Sequence, residues 1–331
     1  MAVSTEAILG WSRIGVFLLC MGIAAWMDHK TRRVANEHWL IWVKPAIFLW
    51  FLELIAREAD WTIFLTASAV ICYASTAIIG RPTLKDIAAG NRMDIIVTLW
   101  YGVSIFGLIS GFMSYGDTNP LDVALGQVGG LAALWWSTVL GLAVIFVIDL
   151  AWRLRMIHGG ADAKALMWVA ILMPSWSTIP NFYQASEEVT ISLPPAIALL
   201  MWGGVSFLLI PILLCCKNLL DKNVKSIGDL RMFWHSTMMD LEEVQKKHVW
   251  LLTTVIEMPD GSSKIHHRSR APRRTPTDEQ LAESIENLRS HEVPRVWVSY
   301  KLPLLVFLFP AIIPMIIFGD LTTLVMEVLG L

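Results

Sequence analysis

Charge is scarce in this chain. Of its 331 residues only 16% are charged, against 55% apolar, and the mean hydropathy is +0.57. An ordinary soluble domain carries about 25% charged residues, so a globular cytosolic enzyme is disfavoured, and disorder is excluded by the same figures. Neither sign dominates: 26 basic and 28 acidic residues leave a formal charge of −2, which is no footprint for nucleic acid. Cysteine is sparse too. Cys20, Cys72, Cys215 and Cys216 form no Cys-x-x-Cys pair, which removes a disulfide framework, a zinc ribbon and a thioredoxin-like site. Packing among apolar neighbours is the expected role of all four. No internal repeat is evident, which weakens a transporter built from inverted halves. What the chain does contain is long apolar runs and sixteen tryptophans, suited to many water–lipid boundaries.

A membrane span needs about 20 mostly apolar residues. Runs of that kind lie at roughly 8–27, 39–56, 61–80, 94–114, 128–151, 163–180 and 194–216, and an eighth extends from Pro303 to about Gly319. The first is not expected to be a cleaved signal. Glu6 precedes it and Lys30, Arg32 and Arg33 follow it, the reverse of a signal peptide's charge order. Placing the loops 29–38, 81–93, 152–162 (with Lys164 at its edge) and 217–301 in the cytoplasm collects 23 of the 26 basic residues there, as the positive-inside rule asks. The opposite loops carry Arg57 alone among basic residues, with Glu58, Asp60, Asp117, Asp122, Glu187 and Glu188. The expectation is an all-α polytopic protein of the cell membrane with about eight transmembrane helices and both termini outside. It divides into a seven-span domain at 1–216, a small mixed α/β cytoplasmic domain at 217–301 and a final helix at 302–331.

Within the polar stretch, apolar residues from Leu230 to Val244 suggest a helix over about 229–247. His248–Glu257 followed by Pro259-Asp260-Gly261 reads as a hairpin. Thr277 and Gln280 form a capping box ahead of a helix carrying Leu281, Ile285 and Leu288. Val296–Val298 reads as a strand leading to the last span.

Carboxylates at membrane depth usually have a task or a partner. Asp28 closes the first span and Asp162 opens the sixth. Four crossings separate them, so both return to one leaflet, at the cytoplasmic face. Two acids able to share a proton can activate water for peptide hydrolysis. The ionised one is the general base, and the protonated one polarises the scissile carbonyl. Gly159 and Gly160, with Ala161, would let a substrate backbone approach closely.

At these residues the chain resembles a known family. Gly159-Gly160-Ala161-Asp162-Ala163-Lys164 resembles the Gly-x-Gly-Asp signature of the type IV prepilin peptidases, including the archaeal preflagellin peptidases. Asp28-His29-Lys30-Thr31-Arg32-Arg33-Val34-Ala35-Asn36 is similar to that family's first-aspartate motif. The resemblance implies an aspartic endopeptidase that removes short basic leaders from prepilin or preflagellin (archaellin) precursors on the cytoplasmic side. It further implies Asp28 and Asp162 as the dyad, Lys164 as a family position, and neither metal nor organic cofactor. The implied partners are the precursors and the lipid bilayer, with no nucleic acid. Alanine at 161 departs from the signature, and the gap between the aspartates holds an extra pair of spans.

Plainer roles stand beside these. Asp28 could pair with Arg32 at i+4, and Asp162 could be a helix N-cap. Glu53 with Arg57, and Asp149 with Arg153, have ion-pair spacing, leaving Asp149 as a spare carboxylate for the site. His158 could tune Asp162 or face solvent. Two other functions remain open: a presenilin-like intramembrane protease, and a transporter or scaffold whose acids are structural.

Overall fold

An amide left unpaired in hydrocarbon is costly, so apolar runs that cross a membrane fold as helices satisfying their own backbone. The structure, a computed structural model, describes residues 5–157, 159–180, 192–223, 227–258, 262–272 and 276–330. It opens with α1 (Thr5–Thr31), α2 (Asn36–Ala56) and α3 (Trp61–Ile79), then the five-residue α4 (Leu84–Ala88), α5 (Arg92–Tyr115), the short α6 (Pro120–Ala124) and α7 (Gly130–Arg153). Next come α8 (Gly160–Leu172) and α9 (Pro195–Leu220). After a region of strands, detailed below, the chain ends in α11 (Leu304–Phe318) and α12 (Leu321–Leu329). Among the described residues six helices, α1, α2, α3, α5, α7 and α9, are long and apolar enough to cross a membrane, and α11 with α12, bent by 50°, can count as a seventh.

The difference from eight spans lies mainly in α8. The apolar run expected to span 163–180 is helical only to Leu172. At 1.5 Å per residue its 13 residues reach about 20 Å, short of the ~30 Å hydrocarbon core. Pro174 has no N–H and restricts the residue before it, and Met173 leaves the helix with φ −130°. Nine of the 13 residues, Ala163 and Ala165–Leu172, are buried. A helix apolar all round belongs in a core, and α8 is wrapped by α1, α2, α3, α7 and α11. The last run also breaks: Gly319 at φ 71° closes α11, and Asp320 caps α12 through the Thr322 N–H and hydroxyl.

The two compact units are Met1–Gly204 with Pro303–Leu331, and Val205–Leu302. In the first, a buried ion-pair cluster joins α1 to α2. Arg13 of α1, 1% exposed, donates from Nη2 to Glu53 Oε2 at 2.6 Å, while Arg57 Nε lies 3.1 Å from Glu53 Oε1. Arg57 reaches onward to Ser177 Oγ at 3.0 Å. Removing one partner of a buried pair typically costs about 3–5 kcal/mol, because the other charge stays buried. Glu53→Gln is therefore expected to lower the thermal midpoint of the detergent-solubilised protein, and an unchanged midpoint would mean that water replaces the pair. Outside the spans, Asp60 caps α3. Burial raises its carboxyl pKa, but hydrogen bonds from Thr62, Tyr115 and Ile63 outweigh burial and hold it below the ordinary value. Cys20, Cys72 and Cys215 are buried as expected, whereas Cys216 is exposed.

The second unit pairs β1 (Thr237–Asp240), β5 (Arg295–Tyr300) and β2 (Val249–Leu251) in an antiparallel sheet of that order. A hairpin joins β3 (Thr253–Glu257) to β4 (Ser263–His267); the residues of its expected turn, 259–261, fall outside the described ones. Helix α10 (Asp278–Ser290) starts at the capping box read from Thr277 and Gln280. The helix expected over 229–247 does not form. Two short 3-10 turns, Ile227–Arg231 and Leu241–Lys246, flank β1 instead. Burial along β1 alternates, and Met238 sits opposite Trp297, so strand pairing overrides a weak helical period. The apolar residues still reach a core: Met239, Leu241 and Val244 pack with Ile285, Leu288, Val296 and Val298.

Candidate active site

Asp28 lies in the last turn of α1, only 8% exposed. The helix stops just beyond it, where Arg32 takes φ 57° and its N–H bonds the Asp28 carbonyl at 3.0 Å. That turn carries the Arg32 side chain off the helical i+4 position. No Asp28–Arg32 ion pair forms, although the guanidinium is close enough to act on the carboxylate electrostatically. The backbone N–H of Leu305, in the first turn of α11, instead lies close enough to the Asp28 carboxyl to favour its charge. Such first-turn amides have no partner within their own helix.

Asp162 stands in the first turn of α8, three residues after the extended N-cap Gly159. It is therefore not the N-cap itself, and among the described residues its side chain makes no hydrogen bond or ion pair. Its carboxyl folds back over Gly159: a Cβ built there would lie 2.1 Å from Asp162 Oδ2 and 2.8 Å from Cγ. Glycine at 159 thus makes the space that the carboxyl occupies. At Gly160 a Cβ would meet Trp152 Cζ2 at 3.1 Å, so this residue lets α8 begin against the end of α7. Ala161 is half-buried at the edge of the core.

Helices α1 and α8 touch, and the carboxyl groups of Asp28 and Asp162 lie within electrostatic range of each other. The N-termini of α8 and α11, whose peptide dipoles favour negative charge, both open at this place. Lys164 fastens the arrangement from the side, with Nζ donating to Asn36 Oδ1 at 2.7 Å and standing 5.8 Å from the Trp152 ring centroid. One bond therefore links the last residue of the first aspartate segment to the last residue of the second. Deeper in the core, Trp168 Nε1 donates to the Trp42 carbonyl at 2.9 Å and pins α8 to α2.

Asp149 belongs elsewhere. Its Oδ2 accepts from Tyr73 at 2.9 Å, Arg81 at 2.7 Å and Arg153 at 2.9 Å, which ties α7 to α3 and to the loop behind α3. His158 lies outside the described residues. Sequence reasoning did not single out the Leu305 amide, for which a backbone group leaves no residue-type signal. It also missed Asn36 as the partner of Lys164 and Trp152 as the wall behind Gly160, although Asn36 was visible as the end of its motif.

Residues 229–321 match the family model described as Archaeal Peptidase A24 C-terminus Type II. That stretch includes most of the strand-bearing unit and lies outside both aspartate segments in the sequence. The resemblance is to the archaeal preflagellin peptidases. A preflagellin peptidase of Methanococcus voltae is 24% identical over 217 residues, covering 63% of this chain and 78% of that one. The A24 model match thus rests on the C-terminal part of the chain alone.

Proposed function

We propose that this protein is a membrane aspartic endopeptidase that removes basic leader peptides from prepilin or preflagellin precursors at the cytoplasmic face of the cell membrane. The observation that carries the reading is that Asp28 and Asp162 stand on touching helices within electrostatic range of each other. Preflagellin cleavage is what the name of the Methanococcus voltae relative describes. In this mechanism one carboxylate takes a proton from the attacking water while the other, protonated, donates its proton to the scissile carbonyl oxygen; on collapse the first passes the water's proton to the leaving amine and the second recovers its own. The open N-termini of α8 and α11 favour the negative charge that develops on the tetrahedral intermediate. The extended leader runs past Gly159–Ala161 while the precursor's apolar helix stays in the bilayer. Four spanning helices, α2, α3, α5 and α7, separate the two acids and keep them on one side. Together with the distribution of basic residues, this supports a cytoplasmic site and termini outside.

Co-expression with a panel of pilin and archaellin precursors tests the reading. A mass shift equal to loss of the leader is expected for at least one of them. A panel left intact by well-inserted protein would overturn the assignment of substrate class. The fastening bond gives a finer expectation. Lys164→Met leaves Asn36 without its charged donor, and a charged hydrogen bond contributes about 1.5–3 kcal/mol. Cleavage is expected to fall roughly tenfold on that scale with assembly intact. Equal rates for Lys164→Met and the parent would show that the bond is dispensable.

A further inference from the structure

Arg32 carries two features that the dyad does not explain. Its Nε and Nη1 are buried and have no hydrogen-bond partner, in a structural context where nearly every buried polar group is paired. Its backbone sits at φ 57°, a conformation natural for glycine or asparagine and unfavourable for arginine. Strain and an orphaned donor at one residue, within electrostatic range of Asp28, fit a group held ready for a ligand. Thr31 helps to fix the turn, its hydroxyl bonding the carbonyls of Met27 and Arg33 at 2.9 Å each.

Resting on the peptidase reading above, we propose that Arg32 is a substrate-binding residue that donates to backbone carbonyl oxygens of the extended precursor peptide beside the dyad. The orphaned atoms indicate the ligand chemistry. A carboxylate is gripped by two parallel N–H bonds from one edge of the guanidinium. Nε and Nη1 open on different edges, so one carboxylate cannot take both. Two separate acceptors can, and an extended chain presents carbonyl oxygens at regular intervals. The positive charge strengthens each bond without reading side-chain identity. It also leaves Asp28 with a nearby cation that is not consumed in an ion pair.

The test uses the full-length protein in proteoliposomes with a purified precursor that the wild type cleaves. Arg32→Gly and Arg32→Asn relieve the backbone conformation, so thermal stability is expected to hold or rise. Both are expected to raise KM about ten- to a hundredfold with kcat nearly unchanged, the scale set by losing charged hydrogen bonds. Arg32→Lys, which keeps the charge but not the second edge, should recover only part of the loss. The same shift is expected for a precursor whose acidic residues around the cleavage point have all been neutralised. If that precursor is insensitive to Arg32→Gly, the group reads an acidic side chain and the proposal fails. A wild-type KM in Arg32→Gly and Arg32→Asn overturns it outright while leaving the dyad standing. A wild type that neither cleaves nor binds any precursor overturns the peptidase reading and this inference together.

Discussion

Asp28→Asn and Asp162→Asn are each expected to stop precursor cleavage while the protein still inserts and purifies as the parent does. Asparagine matches the shape of the acid but can neither take a proton from water nor hold one for the leaving amine. A single general acid or base contributes about 10²–10⁴-fold, so a loss of roughly 10³-fold or more is expected for either change. Groups that act as a unit are not additive. The double variant should consequently be no worse than the weaker single one. Retention of cleavage in Asp162→Asn would be the most damaging outcome, since the Asp162 side chain makes no hydrogen bond or ion pair among the described residues that would supply another role. Retention in Asp28→Asn would instead leave Asp28 a structural role beside the Leu305 amide.

Gly159→Ala should give the second large effect, for a reason separable from stability. The backbone at 159, φ −88° and ψ 122°, suits alanine as well as glycine, so the fold has no objection to the substitution. The conflict is with the carboxyl alone, since the new Cβ would sit 2.1 Å from Asp162 Oδ2. Asp162 has to rotate away. Misplacing a reacting group by about 1 Å can cost on the order of a hundredfold. The expected result is a kcat/KM lower by about that factor with little change in melting. Gly160→Ala meets only the Trp152 ring edge, at 3.1 Å, and should cost less. If 159 and 160 respond alike, the carboxyl is not where this geometry puts it.

Hydropathy and basic-loop counting made the long spans legible, because membrane crossing constrains length and charge more tightly than any propensity does. The same reasoning overran at α8. Apolar residues continue past Leu172, but hydropathy does not register that Pro174 ends the helix or that its faces are covered by protein rather than lipid. The ion pairs Glu53–Arg57 and Asp149–Arg153 follow from spacing alone. Arg13 as the buried third member does not, because α1 and α2 must first be packed. Around the site, the two aspartates and the glycines stood out as residue types. The Asn36–Lys164 bond depended on which helices abut, and the Leu305 amide on where the last span begins. In the strand-bearing unit, Met238 and its neighbours carried a helical period that pairing with β5 overrode.

The contacts of Asp28 also have a consequence for biosynthesis. Asp28 emerges with the first helix, Asp162 near the middle of the chain and Leu305 only with the last span. At ~5–20 residues per second, tens of seconds pass between the first of these and the third. Throughout that interval the nascent protein holds a carboxyl group in its opening helix before the amide that will stand beside it has been made.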